Sequence, residues 1–200
     1  MAQTIDASAK EHPFPAYSTP IITWRALPLV LFPVTALLIA IMSNGFVLLD
    51  YVHVMTGSLW TGIDIFMGLV IGPIIARMPA PARADFVRKL VPTMLFLMPT
   101  IASVAITSGM YLATREGLFN LNYTAIQLSG LFIIILSAQG FGIFLPNEVR
   151  IVMEQRKALP DVVKIGRLGL LNARLAGVQA LFQIVLIFVM ANLAGGIVNI

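Results

Sequence analysis

The side chains in this chain best placed to do chemistry share one apolar stretch. They are His53, Trp60 and Asp64 within YVHVMTGSLWTGIDIFMGLVIGPIIARM, Tyr51 to Met78. With Gly57 and Gly68 they fall at i, i+4, i+7, i+11 and i+15, which is one face of a helix. A neutral imidazole is a ligand for haem iron or copper. It is equally a hydrogen-bonding group for a carbonyl or water at a membrane surface. An ionised carboxylate near the bilayer centre costs roughly 2.5–3.5 kcal/mol on insertion scales, so Asp64 must be protonated, paired or wet. A proton or cation pathway would use such an acid; so would a hydrogen bond that holds helices together. Eleven residues of helix put His53 and Asp64 about 16 Å apart, so they do not share one site.

Other residues extend these two possibilities. Met55 beside His53 is a candidate metal ligand, because thioethers are soft donors for Cu(I). The chain has ten methionines, however, and methionine is an ordinary filler of apolar cores. Asn172, Gln179 and Gln183 lie at i, i+7 and i+11, a polar face that either bonds between helices or lines a cavity. Gln179 and Gln183 are therefore read with Asp64 as a polar path. Glu148 and Arg174 fall near the same ends of their spans and are expected to form a structural ion pair. His12, beside Glu11 and Pro13, belongs to a polar tail with little to hold it rigid. A haem with two histidine ligands therefore cannot be completed within one chain's membrane region. The chain has no cysteine, which excludes disulfides and thiolate-bound metals. It also lacks a phosphate loop, a dinucleotide fingerprint, a nucleophile–base motif and HExxH. No catalytic residue is named, and the reading leans away from an enzyme.

The elements that position these residues are membrane helices. Of the 200 residues 58% are hydrophobic and 11% charged, with a mean hydropathy of +0.92. Soluble domains run near 25% charged, so lipid is the expected solvent. The fold class is all-α, an integral membrane helical bundle of about five spans: 26–49, 51–75, 90–113, 123–145 and 168–194. Residues 1–25 form a polar, proline-punctuated tail that ends in an interfacial Trp24 and Arg25. Asp50 is taken as the turn between spans one and two. The basic segment from Arg150 to Arg167 is expected to lie on the surface as an amphipathic helix. Alternating the loops places twelve of the 13 Lys and Arg on one side and Arg115 alone on the other. That is a positive-inside pattern. It predicts a cytoplasmic N-terminus, five spans and an exterior C-terminus. The basic residues are spread as topology signals, so no nucleic-acid partner is expected. Lipid is the expected partner, together with further copies of the chain or other membrane subunits.

The run His53-Val-Met-Thr-Gly-Ser-Leu-Trp60-Thr-Gly62, leading to Gly72-Pro73-Ile-Ile, resembles the CopD-like (copper resistance D) bacterial membrane proteins. Its style is similar to that of the HemJ-type haem-associated membrane proteins. The resemblance extends through the basic loop and the third span to Gly109, about 60 of the 200 residues. It implies a small helical bundle of a bacterial inner membrane, with copper handling or haem b binding as its function and His53 as the ligand. The chain departs from that pattern in having no second intramembrane histidine and no eight-span body. Two other functions follow from the residues themselves: a non-catalytic assembly subunit of a larger membrane complex, or a proton- or cation-coupled transporter using Asp64.

Overall fold

A computed structural model describes residues 27–199, and the described residues form helices joined by short turns. The polar tail, with His12, Trp24 and Arg25, lies outside them. Five helices result: α1 Leu27–Met42, α2 Phe46–Arg77, α3 Ala80–Arg115, α4 Thr124–Gln155 and α5 Val162–Ala194. The last four are long and apolar enough to cross a bilayer. The 16 residues of α1 span about 24 Å, somewhat less than a hydrocarbon core of about 30 Å. The all-α membrane bundle is thus a bundle of four to five spans.

The turn between the first two helices is at Ser43–Gly45 rather than at Asp50. Asn44 takes φ 54°, a left-handed conformation that asparagine tolerates better than most side chains. Helix α2 therefore starts at Phe46, and Asp50 is an exposed residue within it. The expected surface helix from Arg150 to Arg167 is likewise absent. Helix α4 runs past Pro146 to its end, the chain turns at 156–161, and α5 begins at Val162, where Asp161 caps the Lys164 N–H at 2.9 Å.

Two helices widen locally, each just before a proline. Phe66–Ile71 in α2 and Gly140–Phe144 in α4 are π-helical, and Pro73 and Pro146 follow them. Proline has no N–H to give and its ring crowds the carbonyl four residues back. Those residues, Leu69 and Gly142, lie inside the widened segments. One wide turn absorbs the clash, and each helix continues rather than ending.

Helix α5 is the centre of the packing and touches α2, α3 and α4; α1 lies outside on α2 and α3. At one crossing no side chain intervenes. A Cβ on Gly68 would come within 2.3 Å of the Gly177 Cα, so α2 and α5 meet there backbone to backbone. The basic end is closed by Ala84, Val87, Ile151 and Ile165. Arg83 adds a cap there, donating to the carbonyls of Ile75, Ala76 and Met78 at 2.8–3.0 Å. The Ile75 carbonyl also accepts from the Met78 N–H at 3.3 Å, and the others are carbonyls past the reach of the helix's own N–H groups.

Candidate functional site

The face of α2 predicted from spacing does turn inward, but it meets two different partners. Near the end remote from the basic loops, His53 packs on α3. Its Nδ1 lies 2.9 Å from the Ala105 carbonyl oxygen. A carbonyl only accepts, so Nδ1 carries a proton, and in the neutral ring Nε2 then keeps the lone pair. Gly109 makes room for the ring, since a Cβ there would lie 2.7 Å from His53 Cε1. Met55 is 49% exposed, and two residues of helix turn it about 200° away from His53. The expected His53–Met55 pair therefore does not converge.

Deeper in the bundle the same face meets α5. Asp64 is 1% exposed, and its Oδ2 accepts from Gln183 Nε2 at 2.9 Å. Gln179, one turn away on α5, is 3% exposed and lines the same cavity as this carboxyl. The expected polar path of Asp64, Gln179 and Gln183 is thus one buried cluster. Both glutamines retain a buried Oε1 with no donor. Such groups are rare in folded proteins because an unmet buried acceptor costs about 1–3 kcal/mol.

A cavity of about 110 Å³ adjoins this cluster, bounded by α2, α3, α4 and α5. Asp64, Gln179, Asn172 and Glu148 reach it among mostly apolar walls. Both π-helical segments border it, through Met67 on α2 and Phe141 on α4. Towards the end where His53 lies, the buried cluster of Trp60, Ile101, Ala105 and Leu136 closes it. Towards the basic end it continues to Glu148.

Glu148 and Arg174 do not form the expected ion pair. Ion pairs among the described residues join Asp85 to Arg88 and Lys89, and Glu154 to Lys157 and Lys164. Arg174 is exposed on the outside of α5, whereas Glu148 lines the cavity. Beside Glu148 the two helices are joined instead through amides: Asn147 Nδ2 donates to Asn172 Oδ1 at 2.8 Å. Sequence reasoning missed Asn147, the cavity position of Glu148 and the buried Glu154. Pro146 was the available signal, since it introduces the widened turn that reorients everything after it.

Among the described residues His53 is not part of a completed haem b or copper site. His53 lines neither the Asp64 cavity nor the groove between α1 and α3. Among the described residues no three His, Cys, Asp or Glu side chains come together as a metal-binding group. A single imidazole can hold haem iron, but neither of these two clefts adjoins His53. No protein-family model, curated protein or solved structure matches the chain.

Proposed function

We propose that this protein is a proton- or cation-coupled transporter of a bacterial inner membrane, with Asp64 as the coupling carboxyl. The observation that carries this reading is a carboxyl in the apolar depth of the bundle with only amide donors, beside a cavity that also holds Glu148. A purely structural acid would be expected to have a cation or a full set of donors around it. The basic end is read as cytoplasmic and the C-terminus as exterior, following the distribution of Lys and Arg. Glu148 then stands on the cytoplasmic approach to Asp64. The Trp60–Leu136 cluster is the barrier on the exterior side.

Reconstituted vesicles carrying a pH-sensitive dye test this. An imposed gradient should drive flux through the native protein, and Asp64→Asn should abolish it while the protein still inserts. Undiminished flux in that variant would overturn the assignment.

A second reading is supported by the tautomer of His53. Fixing Nδ1–H on a backbone carbonyl and leaving Nε2 free is how ligand histidines are held. His53 is then half of a haem or copper site whose other half belongs to a second copy or another subunit. Purification from native membranes with absorption spectroscopy and metal analysis tests it. A colourless, metal-free preparation of the intact assembly removes it.

A further inference from the structure

The Asp64 cavity combines features that together specify a class of ligand. Its polar lining is the carboxyls of Asp64 and Glu148, the amides of Asn172 and Gln179 and the hydroxyls of Ser103 and Ser137, and no Lys or Arg lines it. Asp64, Gln179 and Gln183 are 1–3% exposed, and the two amide oxygens lack donors. The site therefore calls for a positively charged group that brings N–H donors. The remaining wall is apolar and soft, including Trp60, Met98 and Phe141. Aromatic faces and thioethers favour an organic body close to a cation.

The packing also shows where such a ligand enters. Close approach of α3 to α4 is concentrated at Leu145–Glu154. Beyond that segment the two helices are bridged by side chains, and the cavity occupies the gap between them. Phe141 stands at its rim, 58% exposed on the lipid-facing side while lining the cavity. A volume of about 110 Å³ suits a small molecule rather than a lipid tail or a macrocycle.

We propose that this cavity binds a protonated amine with a small apolar body, admitted from the lipid phase between α3 and α4. The ammonium group donates to Asp64 and to the Gln179 amide oxygen, and the body lies against Trp60, Met98 and Phe141. This rests on Asp64 being the functional carboxyl of the transport reading and adds the class of substrate.

The chain has two tryptophans, so Trp24→Phe leaves Trp60 as a reporter inside the site. The full chain with that change, in phosphatidylcholine nanodiscs, is titrated with 2-phenylethylamine. Trp60 fluorescence should change saturably. Neither 2-phenylethanol, which lacks the charge, nor benzyltrimethylammonium, which lacks N–H donors, should reproduce the change or compete. Asp64→Asn should raise Kd at least about tenfold, the scale of one lost charge-assisted hydrogen bond. Gln179→Ala should raise it severalfold in the same direction, which keeps the test open if the first variant folds poorly. Equal saturation by the alcohol, displacement of the amine by Na⁺ alone, or an unchanged Kd in both variants would each overturn the proposal. Asp64-dependent proton flux in vesicles without amine saturation overturns the amine and leaves the transport reading standing. Amine saturation without Asp64-dependent flux supports the ligand site and removes the transport reading.

Discussion

His53 and Asp64 stand on one face of one helix, two polar residues in an apolar stretch, and their surroundings differ in kind. The imidazole is half-buried, has its donor on the Ala105 carbonyl, and rests on a glycine that gives it space. Its site is packed and its donor is met. The carboxyl is almost fully buried, has Gln183 as its hydrogen-bonded donor, and is surrounded by acceptors that have none. Beside it is space. In a membrane interior the cost of an unmet polar group is high, so satisfied groups mark structure and unsatisfied ones mark sites awaiting a partner. By that criterion the function of this bundle lies with Asp64.

The glycine crossing beside the carboxyl gives the largest expected effect. Gly68→Leu would drive a side chain into the Gly177 backbone, where neither helix has a flexible group to yield. Separation of α2 from α5 should cost about 3 kcal/mol, the upper range for overpacking. It would also draw Asp64 away from Gln183. A thermal scan followed by Trp60 fluorescence should show a large fall in midpoint. An unchanged midpoint would mean that the two backbones are not in contact.

Next is the contrast in activity. Asp64→Asn should remove flux, and His53→Ala should preserve it with a modest loss of stability. If instead His53→Ala silenced the protein and Asp64→Asn did not, the comparison would be inverted and the ligand reading of His53 favoured. Smaller again is Gln183→Leu, which removes the donor to Asp64 and should cost about 1–2 kcal/mol. Ser108→Ala on the His53 side should cost less, because that hydroxyl bonds the Val104 carbonyl of its own helix and lies 3.4 Å from the ring. Chemical denaturation of the two variants in one detergent separates them.

How far the site was legible follows from where 3.6-residue periodicity holds. It holds from His53 to Asp64, so the inward face of α2 was readable, as was the polar face that brings Gln179 and Gln183 to the acid. It fails after a π-helical segment, because one added residue per turn rotates everything downstream by about 100°. Glu148 and Arg174 were matched by depth alone, yet Glu148 follows such a segment and turns into the cavity. The glycines show a second limit. Gly68, Gly72, Gly109 and Gly177 lie at close contacts, whereas Gly57, Gly62, Gly130 and Gly140 face open space. A small residue permits close approach, but the partner helix decides whether it occurs. The start of α2 was misplaced because Asp50 resembles a loop residue, although an exposed acid in the first turns of a helix is well placed there.

Gly109→Ala gives the smallest effect and discriminates most finely. The new methyl would lie 2.7 Å from Cε1 and 3.1 Å from Nδ1 of His53, so the ring must move. It is a side chain with rotatable bonds and half-exposed, which makes the displacement cheap beside the backbone clash at Gly68. A cost of about 1 kcal/mol is expected, at the low end for overpacking. Moving the ring stretches its 2.9 Å bond to Ala105 and loosens the proton from Nδ1. An NMR signal of the labelled imidazole should then show a mixture of tautomers, while flux is retained. If His53 is only a packed side chain, that is the whole effect. If Nε2 is a ligand to a group shared with another subunit, the same methyl should also weaken the assembly. A loss of complex from Gly109→Ala in native membranes, with the isolated chain still folded, would therefore restore His53 to the functional site.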